Sequence, residues 1–177
     1  MTTIQTQRSL TDRMKGAAML DVSTYEEVEA DQTATPQAAI VIGIVAVASA
    51  IGMAGEGSQG IIGGIIGAFI GWLIWAGVTY LVGVKVMGGT ATWGELLRTL
   101  GFAQSPGVLY VLGIIPLLGV LVRFGVAVWV IIAGVIAIRQ ALDISTGKAV
   151  LTAVLSFIAI MIVMSVLAMI GVGASLV

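Results

Sequence analysis

The sequence predicts an all-α membrane protein: a polytopic bundle of five transmembrane helices with short amphipathic helices at the interface. Two observations lead to this prediction. Hydrophobic residues make up 59% of the chain and charged residues only 10%, whereas soluble domains carry about 25% charged residues. In addition, residues 38–177 form apolar runs long enough to cross a bilayer, separated by short polar turns.

Residues 1–36 are predicted to form a cytoplasmic tail. They contain no apolar run of the signal-peptide type, and they are too few for an independent soluble domain. Leu10, Met14 and Ala17 share one helical face, with charged residues opposite. This pattern predicts either an amphipathic helix lying on the membrane surface or a partly ordered tail.

An acidic segment, STYEEVEAD at residues 23–31, precedes the first apolar run. Ser23 and Glu26 stand at the spacing of a helix capping box, so we predict a short acidic helix or turn here. The segment is either a solvated linker or a site for a partner protein. The residues predicted to form the partner site, including one Arg from a later loop, are Tyr25, Glu26, Glu27, Glu29 and Arg98.

Five membrane spans are predicted from the apolar runs and the turn residues between them. They cover about residues 37–53, 61–86, 102–115, 118–140 and 149–170. Gly88 and Gly89 end the second span as helix stops. Pro116 and Gly119 mark a tight turn between the third and fourth spans. The alternative for these two spans is one kinked hairpin that enters the membrane only part-way.

The stretch TWGELLRTLGFAQSP, residues 92–106, interrupts the apolar sequence with charged and polar residues. Thr92 and Glu95 stand at capping-box spacing, and an apolar stripe follows at helical intervals. A helix of this length cannot cross a hydrocarbon core of about 30 Å. We therefore predict an interfacial helix over residues 92–100, which Gly101 ends and which turns the chain back into the bilayer.

The basic residues are distributed unevenly between the two predicted sides of the membrane. Of the eight Lys and Arg residues, only Arg123 falls on the side opposite the tail. Cytoplasmic loops carry the excess of Lys and Arg. The N-terminus is therefore predicted in the cytoplasm and the C-terminus outside.

Composition and motifs exclude several classes of function. The chain has no Cys and no His, and its net charge is −1. It contains no glycine-rich phosphate loop, nucleophile elbow or metal-binding spacing, and every ionisable residue maps to a loop or a span end, unlike the buried charges of ion-coupled transporters. We predict no enzymatic activity, no catalytic or metal-binding residue, no cofactor and no nucleic acid partner.

The polar residues inside the spans can each return a hydrogen bond to their own helix, so none is predicted to mark a substrate site. These residues are Ser49, Thr79, Thr152, Ser156 and Ser165. Glycine gives a different signal, because Gly63, Gly67 and Gly71 repeat at four-residue spacing in the second span. Small residues in register let helices approach closely. This stripe is predicted to pack either against the first span or against another subunit.

The order of these parts resembles the Yip family of Rab/Ypt-interacting membrane proteins and is most similar to its prokaryotic members. The resemblance covers residues 24–170, from the acidic segment to the last span. It includes the loop WGELLRTLGFAQSP, a Trp in the fourth span and the stretch AIRQALDISTGKA. The strongest matches are Arg98, Gly101, Phe102, Ala103, Pro106, Arg139, Lys148 and Ala149.

The family resemblance implies a five-span topology and no enzyme activity. Eukaryotic members are implicated in vesicle traffic through Rab-type GTPases and partner membrane proteins, whereas prokaryotic members look similar without that machinery. The resemblance also places the acidic segment where the family has its cytoplasmic interaction segment. The residues to which the family motif gives a structural role are Gly101, Pro106, Pro116 and Arg139.

Three functions are compatible with the sequence. The first is a non-enzymatic membrane scaffold or adaptor that binds other proteins through its cytoplasmic face. The second is an accessory subunit of a larger respiratory, photosynthetic or transport complex, which would co-purify with it stoichiometrically. The third is a small channel or lipid-handling protein, and the sparse polarity of the spans disfavours the channel. The predicted partners are membrane lipids, and other membrane proteins or a second copy of the chain.

Overall fold

The computed structural model describes residues 8–54, 61–115 and 117–174, and the regular structure within them is entirely helical. The α-helices are α1 (Leu10–Ala18), α2 (Val22–Ala30), α3 (Ala34–Gly52), α4 (Ile61–Tyr80), α5 (Trp93–Ala103), α6 (Leu118–Leu142) and α7 (Thr146–Ala174). A π-helical segment, Leu81–Val86, continues α4, and a 3-10 segment, Ser105–Ile114, follows α5. The predicted all-α class is confirmed. Pro116, a predicted turn residue, lies outside the described residues.

Four helices in the described part of the chain are long and apolar enough to cross a membrane. They are Ala34–Gly52, Ile62–Val86, Leu118–Leu142 and Thr146–Val166, and they correspond to the first, second, fourth and fifth predicted spans. Residues 102–115 are not a fifth long helix, because they divide between the end of α5 and the 3-10 segment. Pro106 lacks the N–H that a continuous α-helix would donate at this point. The predicted count of five transmembrane helices is therefore not confirmed.

Residues 101–113 nevertheless run beside α3 from near its first turn to its last residue. Close contacts between the two segments, each at a glycine, show this. They join Gly101 to Ala38, Gly107 to Val45, and Gly113 to Gly52. A Cβ added at Gly107 would lie 2.6 Å from Cγ1 of Val45, so a larger residue would not fit without displacing its neighbour. The 3-10 segment thus packs closely against α3.

Residues 93–100 lie in α5, which continues to Ala103, so the predicted helix end at Gly101 is wrong, and the interfacial position of the helix stays a prediction. The predicted capping box of Thr92 and Glu95 is present, but residues 96–103 of α5 are all buried within the protein. The charge of Arg98, which suggested a surface position, has its partners inside the bundle: the guanidinium donates to backbone carbonyls of α2. Helix α5 therefore enters the bundle directly.

The glycine stripe of α4 makes no close contact with other described residues. Gly63, Gly67 and Gly71 are exposed, and a Cβ added to any of them would meet no atom within 4 Å. Helix α4 packs instead through its C-terminal half, where Trp72 and Ala76 are buried. The stripe does not pack against α3, and its packing against another subunit stays a prediction.

The described part of the tail meets the loop before α5 and the turn before α7 at one end of the bundle. The backbone N–H of Thr90 donates to the carbonyl of Leu142 (3.2 Å), which joins the loop before α5 to the end of α6. The ammonium group of Lys148 donates to the carbonyl of Met87 (3.2 Å). We call this end, formed by residues 22–33, 87–95 and 143–148, the tail face.

Candidate interaction site

The described part of the tail forms two capped helices, α1 and α2, and α2 lies on the tail face. The hydroxyl of Ser9 accepts the N–H of Asp12 (3.2 Å) and caps α1. The carboxylate of Asp21 accepts the N–H of Ser23 (3.1 Å) and caps α2. The predicted acidic helix is present, but its cap is Asp21 and not Ser23, because Asp21 is the last extended residue before the helix.

The apolar face of α1 packs on the protein and not on the membrane surface. Ala17 is fully buried, and Leu10 and Met14 pack against the same core. Of the two predicted alternatives, an amphipathic helix is present, but its apolar side meets α2, α5 and the 3-10 segment. The described part of the tail, from Arg8 onward, is thus part of the folded bundle.

Arg13 joins α1, on which it lies, to α2 and to α3. Its side chain is 0% exposed, and Nη2 lies 2.9 Å from Oε1 of Glu27 and 2.7 Å from Oδ2 of Asp31. Nη1 donates to Oε1 of Gln37 at the start of α3 (2.9 Å). Burial opposes the charge, but hydrogen bonds to Asp31 and Glu27 outweigh it and raise the pKa of Arg13. The guanidinium therefore fixes α2 between α1 and α3.

Arg8 adds a second, more exposed set of ion pairs. It lies 3.2 Å from Asp21 and 3.1 Å from Glu27, and its side chain is 39% exposed. Hydrogen bonds from Thr24 and Ser23, more than the Arg8 contact, lower the pKa of Asp21. Arg8 and Arg13 together neutralise much of the negative charge that the sequence shows in this segment.

Three of the residues predicted to bind a partner make their contacts within the chain. Tyr25 is fully buried, its hydroxyl donates to the carbonyl of Ala17 (2.9 Å), and burial raises the pKa of that hydroxyl. Glu27 is bound by both arginines of the tail. Arg98 is 6% exposed. A partner could reach Tyr25 and Arg98 only if the tail opened, whereas Glu27 keeps 27% exposure; the role of all three in partner binding stays a prediction.

The side chain of Arg98 closes the C-terminal end of α2. Its Nε donates to the carbonyl of Val28 (2.9 Å), and Nη2 donates to the carbonyl of Glu29. The last carbonyls of a helix have no partner within the helix, and a cation there also interacts favourably with the helix dipole. Arg98 therefore connects α5 to the tail through the backbone.

Four carboxylates on the tail face are near enough for the charges of three of them to act on Glu29, and none has an ion-pair partner among the described residues. This acidic cluster consists of Glu26, Glu29, Glu95 and Asp143. Partial burial, followed by the charges of Asp143 and Glu95, raises the pKa of Glu29 to about 7, against the opposing effect of Arg98. Glu26 is exposed and accepts one hydrogen bond, from the amide of Gln140 (3.0 Å). The cluster is a concentrated negative charge built from three separate parts of the chain.

Comparison with known proteins identifies the family. The family model described as the Yip1 domain matches residues 22–168. This chain belongs to the Yip1 domain family. The match begins at the first residue of α2 and ends within α7, so the whole acidic cluster lies inside the Yip1 domain, and Arg8 and Arg13 lie before it. No curated protein and no solved structure matches the chain.

The motif residues expected from the family resemblance have distinct positions in this Yip1 domain. Gly101 lies against Ala38, with no room for a side chain. Pro106 is buried at the start of the 3-10 segment. Arg139 is exposed in the last turn of α6, where its charge complements the helix dipole.

Sequence reasoning missed Arg13, Glu95 and Asp143 as members of the site. In the sequence Arg13 is one basic residue among several, and its partner Asp31 lies 18 positions away. The local pattern around Glu95 indicates only a helix cap, and the pattern around Asp143 indicates only a turn. No local pattern indicates that they meet. Among the described residues, no group of three Asp, Glu, His or Cys side chains is arranged to hold a metal ion.

Proposed function

We propose that this Yip1 domain protein is a non-enzymatic membrane scaffold or adaptor that binds a basic segment of another protein on its tail face. The acidic cluster is the observation that supports this proposal. Glu27 and Asp31, close to it in sequence, are neutralised by Arg13, whereas the cluster has no such partner in the described chain. Like charges held together repel one another, and a cationic partner relieves that repulsion.

We further propose that the chain crosses the membrane five times. Helix α3 has 19 residues and is therefore about 28 Å long. Residues 101–113 follow α3 from Ala38 to Gly52, about 21 Å of that length, which supports a fifth crossing. Seven of the eight basic residues lie in the tail or near the tail face, whereas Arg123 lies near the other side, so the tail face is cytoplasmic by the positive-inside rule. The proposed location is a prokaryotic cytoplasmic membrane.

The topology can be tested by cysteine labelling, because the chain has no Cys of its own. We expect Leu117→Cys, at a fully exposed position before α6, to react with an impermeant thiol reagent added to intact cells. Thr146→Cys, exposed at the start of α7, should react only after lysis. A hairpin that enters the membrane part-way would leave Leu117→Cys unlabelled, and labelling of Thr146→Cys from outside would exclude the proposed orientation.

Partner binding can be tested by purification in a mild detergent from the native source. We expect Glu26→Lys to reduce recovery of co-purifying protein by about fivefold or more, because it reverses one of four close charges. Insertion and yield should not change, since Glu26 is exposed and makes one hydrogen bond. The control is Asp12→Lys, an equal charge change on the exposed side of α1.

The outcomes of this purification separate the candidate functions. An unchanged set of co-purifying proteins in Glu26→Lys would contradict a partner site at the acidic cluster. A partner that stays in fixed stoichiometry with both variants would favour the accessory subunit of a larger complex.

Binding of a basic partner should also depend on pH. Glu29 has a pKa of about 7, so it is mostly neutral at pH 6 and mostly charged at pH 8. Over this range oligolysine stays protonated. We expect the affinity of the detergent-solubilised protein for an oligolysine peptide to rise about fivefold from pH 6 to pH 8, the effect of one exposed ion pair worth about 1 kcal/mol. Fluorescence anisotropy of a labelled peptide measures it.

The control for the pH effect is Glu29→Gln, which is neutral at every pH. Its affinity should stay constant and equal that of the parent protein at pH 6. The chain contains no His, the side chain that usually titrates in this range. The same rise in Glu29→Gln would show that another group is responsible and would contradict the assignment.

A further inference from the structure

A cleft of about 360 Å³ lies between α3, α4 and the 3-10 segment, away from the acidic cluster. Along α3 it reaches from Ile42 to Met53, a distance of about 16 Å. Its volume lies at the lower end of the range of small-molecule sites, about 300–1,000 Å³. The residues that line it carry no charge, and the indoles of Trp72 and Trp75 form part of its wall.

Three polar side chains line this otherwise apolar cleft, namely Ser49, Gln104 and Tyr110. None of the three has a hydrogen-bond partner for its side chain within the described part of the protein. In α7, Thr152 and Ser165 each donate to a carbonyl one turn earlier, whereas the buried hydroxyls of Thr79 and Ser156 have no partner among the described residues but do not line the cleft. In a bilayer, polar groups without a partner are costly. The three side chains are therefore available to a ligand.

The depth of Gln104 determines the charge of that ligand. Gln104 lies between the contacts of Gly101 with Ala38 and of Gly107 with Val45, which places it beside Ile42. That level is about 15 Å from the C-terminal end of α3. A ligand that reaches Gln104 brings its polar group into the hydrocarbon region, where a charged group such as phosphate is strongly disfavoured. The matching group is uncharged.

We propose that this cleft binds an uncharged membrane lipid of the diacylglycerol class, with its polar group at Gln104 and an acyl chain against Trp72. The side-chain amide of Gln104 both donates and accepts hydrogen bonds. It therefore matches a lipid that combines ester carbonyls with a free hydroxyl. Ser49 and Tyr110 provide further hydroxyls toward the C-terminal end of α3. This ligand site does not depend on the partner site at the tail face.

Tryptophan quenching by a brominated lipid tests the proposal. The chain has four Trp residues, and a variant that retains Trp72 alone, with Phe at the other three positions, reports on the cleft. Trp72 is only 7% exposed, so chains of the surrounding bilayer have little access to it. The probe is diacylglycerol with dibrominated acyl chains, added at a few mole per cent to phosphatidylcholine vesicles that contain the protein. We expect saturable quenching relative to unbrominated diacylglycerol.

Two further substitutions make the test specific. Gly71 lines the cleft, and a Cβ there meets no atom within 4 Å, so Gly71→Leu fills the cleft without a clash and should abolish quenching. Gly67→Leu is the matched control, because Gly67 is on the same helix outside the cleft, and it should leave quenching unchanged. Gln104→Leu should raise the half-saturating fraction of lipid about tenfold.

Two results would overturn the proposal. Equal quenching of Trp72 in Gly71→Leu and in the parent would show that the lipid does not occupy the cleft. Equal quenching by phosphatidylcholine with the same brominated chains, at the same mole fraction, would show that the cleft does not select an uncharged polar group.

Discussion

Replacement of Arg13 by Met is expected to lower the free energy of unfolding by about 3 kcal/mol. Loss of one partner of a buried ion pair typically costs about 3–5 kcal/mol, because the remaining charge is left buried without compensation. The lower value applies here, since the carboxylates of Glu27 and Asp31 keep 27% and 16% exposure and can be partly hydrated. Denaturation of the purified protein in mixed detergent measures the change.

The matched control for this substitution is Arg8→Met. Arg8 makes ion pairs with Asp21 and Glu27, but its side chain is 39% exposed, and exposed pairs contribute about 0–1 kcal/mol each. The loss should therefore be less than half of that for Arg13→Met. Equal losses in the two variants would contradict the central role of the buried guanidinium. Arg13→Met should also weaken binding at the acidic cluster, because α2 carries Glu26 and Glu29.

The elements that the sequence predicted correctly depend on local rules. The four long apolar helices follow from run length and hydropathy. The start of α5 follows from the capping box of Thr92 and Glu95, whose two hydrogen bonds span three residues. Gly88, predicted to stop a helix, has a φ of 75°, a conformation that Gly adopts without strain. Each of these signals is complete within one or two helical turns.

The burial of α5 within the protein could not be predicted from the sequence, because the contact that holds it there joins residues far apart in the chain. Arg98 was interpreted as a residue of an interfacial helix, since a charge in an apolar sequence usually faces water. Its partners are the carbonyls of Val28 and Glu29, about 70 positions earlier in the chain. Every residue has a backbone carbonyl, so the sequence does not indicate which carbonyls a side chain will bind. A charged residue that binds them looks the same as one on the surface.

The different roles of neighbouring carboxylates in the acidic segment could not be predicted either. Glu26 and Glu27 are adjacent, but successive side chains of a helix point about 100° apart. Glu27 therefore faces Arg13 in the tail, and Glu26 is exposed beside Gln140. The sequence predicted the helix correctly. It could not assign the two carboxylates to different roles, because that requires the position of α1 and α6 around α2.

Glycines on different helices of this protein should respond in opposite ways to the same substitution. Gly101→Ala is expected to lower the free energy of unfolding by about 2 kcal/mol, the cost of forcing a methyl group into a packed core. The new Cβ would lie 2.7 Å from Cβ of Ala38 and 3.3 Å from its Cα, which belongs to the backbone of α3 and cannot rotate away. Gly67→Ala has open space around it and should be neutral or stabilising by up to about 1 kcal/mol.

A rescue experiment distinguishes a steric clash at Gly101 from a general intolerance of the position. Ala38→Gly removes the methyl group that the new Cβ would meet, so the double variant Gly101→Ala with Ala38→Gly should recover part of the lost stability. Residues in direct contact show such coupling, whereas distant ones add independently. Denaturation of the four proteins in the same detergent measures the coupling. Strict additivity would show that Gly101 and Ala38 do not touch, and the course of residues 101–113 beside α3 would then be incorrect.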